Sequence, residues 1–64
     1  MDAVHTLPTN ASPIERVLFR RGRQHAGAGW SLDKMRDYSD DILNRHGFTH
    51  YDAYWTGVDS ILEG

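Results

Sequence analysis

The chain has 64 residues, seven Lys or Arg against nine Asp or Glu, and no cysteine. So short a chain forms one domain at most, and it buries only about 60% of its unfolded surface. It can form no disulfide and offers no thiolate nucleophile or metal ligand. No apolar run approaches the ~20 residues that cross a bilayer. Residues 1–11 do not contain the basic segment followed by an apolar segment that is typical of a signal peptide. We therefore expect a cytoplasmic protein without membrane contact.

The chain is predicted to divide into a tail and one folded unit. Residues 1–11 mix small and polar side chains, include Pro8 and show no periodicity, which is typical of a flexible tail. Residues 12–64 show helical spacing of apolar residues and no alternating pattern. The expected fold class is therefore all-α, a small domain of three helices.

The first helix is predicted over residues 13–25. Ser12 is a strong N-cap, Pro13 suits the first helical position, and Glu15 completes a capping box. Gly22 weakens this helix by about 1 kcal/mol relative to Ala. Two glycines follow closely, so residues 25–29 are predicted to form a flexible joint.

The second helix is predicted over residues 32–46, with Ser31 as its N-cap. Gly47 stands where a left-handed residue ends a helix, and the apolar Phe48 after it indicates a Schellman motif. The third helix is predicted over residues 50–63 and begins after Thr49 as its N-cap.

The apolar residues of the three helices predict one shared core. Each large side chain that is fully buried contributes about 1.5–3 kcal/mol, which offsets the ordering entropy only narrowly. A homodimer that adds a shared interface is therefore a further expectation. The predicted core consists of Ile14, Val17, Leu18, Trp30, Leu32, Met35, Ile42, Leu43, Phe48, Tyr51, Tyr54, Trp55, Val58, Ile61 and Leu62.

Charge is divided unevenly between a basic first helix and an acidic remainder. Guanidinium groups one helical turn apart can grip carboxylates or phosphates in bidentate fashion. An aromatic side chain beside them could fill a partner's pocket. The predicted partner-binding residues are Arg16, Phe19, Arg20, Arg21 and Arg23. Alternatively, these arginines form ion pairs within the fold, with Asp37, Asp40 or Asp41.

The sequence contains no catalytic, metal-binding or nucleotide-binding motif, so we expect a protein that is not an enzyme and binds no metal or cofactor. The aspartates of the second helix lie on a regular helix, whereas a cation site usually needs a loop that wraps the ion. Ser12, Ser31 and Thr49 are predicted caps, so they are poor candidates for a nucleophile.

Two functions remain open. The first is a small interaction module or regulator that docks a helical surface on another protein. The alternative is a nucleic-acid-binding regulator with a helix-turn-helix-like scaffold. In that case the basic first helix would contact the phosphates, because the third helix carries acids and no Lys or Arg.

Overall fold

The structure, a computed structural model, describes residues 7–63 and contains three helices: α1 (Pro13–Gly27), α2 (Leu32–His46) and α3 (Phe48–Leu62). The described residues form no strand, so the all-α prediction is confirmed. The bounds of α2 are as predicted, whereas α1 ends at Gly27 instead of residue 25, and α3 runs over 48–62 instead of 50–63. Residues 1–6 of the predicted tail lie outside the described residues.

The first two helices begin as the sequence predicts. Ser12 and Glu15 form a reciprocal capping box: the Ser12 amide donates to Glu15 Oε1 at 2.7 Å, and the Glu15 amide donates to Ser12 Oγ at 3.2 Å. At the start of α2, Ser31 Oγ accepts from the amide of Lys34 at 3.2 Å. These bonds satisfy amides that have no partner within the helix, and so they fix both starting points.

The end of α1 is an ordered Schellman motif, which corrects the prediction of a flexible joint over residues 25–29. The Trp30 amide donates to the His25 carbonyl and the Gly29 amide donates to the Ala26 carbonyl, each at 3.1 Å. Gly29 has φ +82°, a conformation that glycine adopts without a steric cost. The motif turns the chain back so that the Trp30 ring stacks on the His25 ring.

Gly47 alone joins α2 to α3, and two predictions at this corner were wrong. Gly47 is both the C-cap of α2 and the N-cap of α3, so Thr49 lies inside α3 and provides no cap. The Gly47 amide donates to the Leu43 carbonyl at 3.1 Å. This is an ordinary helical bond, and the second bond of the predicted Schellman motif does not form. At φ +95° and ψ 179°, Gly47 has a backbone conformation that is essentially restricted to glycine.

The main helix contact in the fold joins α1 to α3 through two buried glycines. A Cβ atom placed on Gly22 would lie 2.1 Å from the carbonyl oxygen of Tyr54, and one placed on Gly57 would lie 2.0 Å from that of Phe19. No real Cβ approaches a backbone atom so closely. The two backbones can therefore meet only because both positions lack a side chain, and Gly22 is a packing residue, not a weak point near the helix end.

This contact determines which side of α1 faces inward, and it explains why Ile14 and Val17 do not belong to the core. Leu18, Gly22, His25 and Ala26 are the buried residues of α1. The predicted stripe of Ile14 and Val17 is instead half exposed, at 49% each. The other predicted core residues that are exposed are Leu32, Leu43, Phe48, Ile61 and Leu62. The hydrophobic core consists of Leu18, Ala26, Met35, Ile42, Tyr54 and Val58, with Trp30, Tyr38, Tyr51 and Trp55 packed against it.

An aromatic cluster closes the space between the three helices. His25 stacks on Trp30 with ring centroids 3.5 Å apart, and its Nδ1 is hydrogen-bonded to Tyr54 Oη at 2.8 Å. The Tyr38 ring packs edge-on against His25, with centroids 4.8 Å apart, and it lies tilted by 30° against the Tyr54 ring at 5.2 Å. Lys34 Nζ lies 4.3 Å from the centroid of the Trp30 ring, which is the geometry of a cation–π contact.

Burial in this cluster disfavours charge on both of its hydrogen-bonded members. Desolvation lowers the pKa of His25, and the positive charges of Arg21 and Lys34 lower it further. Desolvation, together with Tyr38, raises the pKa of Tyr54 to about 12. The cluster is therefore built to hold a neutral imidazole against a protonated phenol.

The substitution Gly22→Ala should destabilise the fold although alanine is the better helix former. The added methyl group meets the backbone of α3, and overpacking of this kind costs about 1–3 kcal/mol, against a propensity gain of about 1 kcal/mol. Urea unfolding followed by circular dichroism should show a lower midpoint. Gly27→Ala is the matched control, since nothing lies within 4 Å of its Cβ position. Equal midpoints for the two variants would contradict a tight contact.

Stability should fall as the solution becomes acidic, through His25. Its pKa in the folded state lies below the value of 6.5 that it has when unfolded. The unfolded chain therefore binds more protons below that pH, and the contribution of His25 to stability is lost as the pH falls through this range. Urea midpoints measured from about pH 7 to about pH 5 should decrease in the wild type and decrease less in His25→Gln. Parallel curves would show that another group is responsible.

Candidate interaction surface on helix α1

A groove runs along the outer side of α1 and collects four of the five predicted partner-binding residues. It has a volume of about 470 Å³ and lies between α1 and the segment that precedes it. The half-buried Phe19 provides apolar surface, to which Leu7 and Pro8 add. Three guanidinium side chains surround it. The lining residues are Leu7, Pro8, Thr9, Arg16, Phe19, Arg20 and Arg23. We call this feature the arginine groove.

Arg16 holds the segment before α1 in place and so shapes one wall of the arginine groove. Its Nη2 donates to the Thr9 carbonyl at 2.9 Å, and its Nε donates to the Ala11 carbonyl at 3.3 Å. The Ala11 amide in turn donates to the Pro8 carbonyl at 3.1 Å, which closes a turn over residues 8–11. This side chain therefore positions the groove and also contributes charge to it.

Arg20 and Arg23 extend from the next two turns of the same helix. Arg23 Nη1 donates to Ser60 Oγ at 2.9 Å, a contact that anchors the guanidinium against α3. Within residues 7–63, Arg20 makes no hydrogen bond through its side chain. Because a guanidinium group carries five N–H donors, both arginines retain donors for a ligand.

Arg21 lies apart from the other four predicted residues. Its Nη1 donates to Tyr38 Oη at 2.8 Å, so this half-buried arginine links α1 to α2 at the edge of the aromatic cluster. On a helix, positions 20 and 21 differ by about 100° in direction. Arg21 is predicted as a partner-binding residue because it is next to Arg20 in the sequence, whereas in the structure it bonds to Tyr38 of α2.

The alternative of internal ion pairs is not found in the described part of the chain. Salt bridges there join Arg36 to Asp33 and Arg45 to Asp41, both between exposed side chains on α2. Among residues 7–63, no carboxylate lies within 4 Å of the guanidinium groups on α1. The positive charge of the arginine groove is therefore not neutralised by these acids.

The contribution of the preceding segment is the part of the groove that sequence reasoning missed. Residues 7–9 show no periodic spacing of apolar side chains, so the sequence predicts that they belong to the flexible tail. The available signal was turn chemistry: Pro8 and Asn10 are residues that favour turns, directly before a strong N-cap. A turn there brings residues 7–9 back along α1, where Arg16 can bond their backbone.

Other kinds of site find little support in residues 7–63. No three His, Asp or Glu side chains converge there in a way that could hold a metal ion. None of the helices in this range has the length and apolar character needed to span a bilayer. No protein family, characterised protein or solved structure shows significant similarity to this chain.

The arginine groove combines an apolar surface with charged donors at its rim. Such a surface can accept carboxylates through paired N–H groups while an aliphatic or aromatic side chain packs on Phe19.

The adjacent arginines 20 and 21 should differ in their importance for folding. Arg21→Ala removes a partly buried bond from a charged donor to Tyr38, which should lower the free energy of unfolding by about 1–2 kcal/mol. Arg20→Ala should change it by no more than about 0.5 kcal/mol, because its side chain is exposed. Chemical denaturation of the two variants measures the difference. An equal loss in both would assign Arg20 a structural role that the contacts do not show.

Proposed function

We propose that this chain is a small, non-enzymatic interaction module that docks on another protein through the arginine groove. The observation that carries the proposal is the set of three guanidinium groups around Phe19, which no carboxylate of residues 7–63 neutralises. Arginine is enriched among the residues that contribute most of the binding energy in protein interfaces. The cytoplasmic location expected from the sequence is part of the same proposal.

The chemistry of the groove favours a partner segment that carries Asp or Glu next to an apolar side chain. The carboxylates would bind Arg20 and Arg23, and the apolar side chain would pack on Phe19. Arg16 is already bonded to two carbonyl groups, so it would act mainly by holding the wall formed by residues 7–9. A segment of extended backbone suits a groove that lies alongside a single helix.

Nucleic acid is the less favoured ligand. Three arginines would neutralise about three phosphates, so the logarithm of affinity would fall with the logarithm of salt concentration with a slope of only about −3. The chain as a whole carries a net charge of −2, and in α3 it places acids where a helix-turn-helix protein reads the major groove. Non-specific attraction to a phosphate backbone would therefore be weak.

Selection from a library of random displayed peptides would test the proposed ligand chemistry. Sequences should be kept if they bind the wild type and discarded if they bind a variant with Arg16, Arg20 and Arg23 all changed to Gln. We expect enrichment of peptides with Asp or Glu beside Leu, Ile or an aromatic residue. A variant with Arg36 and Arg45 changed to Gln is the matched control, because these arginines lie on α2, and it should retain the selected peptides.

Two results would contradict the proposal. The first is a selection that leaves no peptides specific for the wild type, or that enriches peptides without a preference for acidic residues. The second is binding of random duplex DNA at low salt that is tighter than binding of any selected peptide and is lost in the triple variant. This second result would favour the nucleic-acid-binding alternative.

A further inference from the structure

A line of large apolar side chains on α3 is left partly uncovered by the other two helices. Phe48 and Leu62 are 67% and 60% exposed, and Tyr51 and Trp55 between them are half-buried. At about 100° per residue these four side chains point in nearly the same direction from the helix axis. The Phe48 and Tyr51 rings have centroids 5.8 Å apart, and those of Tyr51 and Trp55 are 6.5 Å apart. We call these four residues the aromatic stripe.

The aromatic stripe lies away from the contact between α1 and α3. That contact is made at Gly57. At about 100° per residue, Gly57 lies on the side of α3 opposite to the stripe. The inner edge of the stripe reaches the core through Tyr51 and Trp55. Its outer edge, Phe48 and Leu62, faces solvent at both ends of the helix. The stripe is therefore a continuation of the core surface that is open to an additional helix.

Acidic side chains run alongside the stripe on its solvent side. At about 100° per residue, Asp52, Asp59 and Glu63 lie on one side of α3, next to the side that carries Phe48. Within residues 7–63 none of these three carboxylates takes part in a salt bridge. The sequence from residue 46 to residue 63 contains no Lys or Arg, so α3 itself supplies no positive charge to this flank. From α1, Arg23 reaches the neighbouring Ser60 but forms no salt bridge with these acids.

The charges argue against two simple occupants. A second copy that packed stripe to stripe with its α3 antiparallel about a two-fold axis would bring the two acidic edges to the same side of the interface, where they would repel each other. An anionic membrane surface would also repel these carboxylates, since it attracts Lys and Arg. A complementary occupant carries apolar side chains on one face and positive charges beside them.

We propose that the aromatic stripe binds an amphipathic basic helix of a partner protein. The apolar face of that helix would pack on Phe48, Trp55 and Leu62, and its Lys or Arg residues would lie over the acidic edge. Recognition of this kind uses the helix-in-groove mode, in which apolar anchors give affinity and flanking charges give orientation. The surface is separate from the arginine groove, so the chain would present two docking surfaces of opposite charge.

A synthetic amphipathic helix of leucine and lysine, titrated by calorimetry, is the direct probe. We expect it to bind the wild type, while a charge-reversed peptide of leucine and glutamate does not. Phe48→Ser combined with Leu62→Ser should weaken binding by about tenfold or more. Ile14→Ser combined with Val17→Ser is the matched control, because those side chains are 49% exposed on α1, and it should change affinity by less than about twofold.

The acidic edge provides a second test that leaves the apolar surface intact. Asp52→Asn combined with Asp59→Asn should weaken the leucine–lysine peptide by about threefold or more at low salt, and this loss should shrink as salt is added. If circular dichroism shows that the Phe48/Leu62 variant does not fold, the Asp52/Asp59 variant still tests whether the stripe binds a basic helix.

Three results would overturn the proposal. One is equal binding of the leucine–lysine and leucine–glutamate peptides. Another is unchanged affinity in the folded Phe48/Leu62 variant, or in the Asp52/Asp59 variant. The third is a wild-type dimer in sedimentation velocity that the Phe48/Leu62 variant abolishes, which would assign the stripe to a second copy of this chain.

Discussion

The close approach of α1 and α3 at Gly22 and Gly57 is the constraint on which the rest of the structure depends. Each glycine leaves room for a backbone carbonyl of the other helix, so the position and rotation of α1 on α3 are fixed at one point. That rotation turns His25 inward, where it bonds Tyr54 and stacks on Trp30. It also turns Ile14 and Val17 outward and leaves Arg16, Arg20 and Arg23 exposed on α1. The helix contact therefore determines both what is buried and what is presented.

Local chemistry made part of this fold predictable. The caps at Ser12 and Ser31 are local hydrogen bonds, so their residue types revealed where α1 and α2 begin. The inward face of α1 was not predictable, because helical spacing places Ile14 and Val17 on one side and nothing local shows that two glycines distant in sequence meet. For the same reason, helix propensity alone predicts that Gly22 weakens α1, whereas its packing role depends on α3. In the arginine groove, residues 16, 19, 20 and 23 followed from their spacing, whereas the role of residues 7–9 and the separate contact of Arg21 depend on tertiary structure.

The same arrangement leaves two surfaces of opposite character. On α1, three guanidinium groups surround Phe19, and no carboxylate of residues 7–63 lies within 4 Å of them. On α3, the aromatic stripe lies beside Asp52, Asp59 and Glu63, which form no salt bridge within residues 7–63. A small core cannot cover every apolar side chain of three short helices, so exposed Phe48 and Leu62 are consistent with its size. Their alignment with the charged edge is what supports a role in binding. Under the proposed function, one tight helix contact would set both recognition surfaces of a small interaction module.

Nuclear Overhauser measurements on the isotope-labelled chain test the central helix contact most directly. The account predicts cross-peaks from the α protons of Gly22 to the amide proton of Val58, because the backbone nitrogen of Val58 lies 3.0 Å from the Cβ position of Gly22. It also predicts that the methyl groups of Ile14 and Val17 show few contacts with α3. Absence of the Gly22 cross-peaks, together with dense contacts from Ile14 and Val17 to α3, would contradict the account.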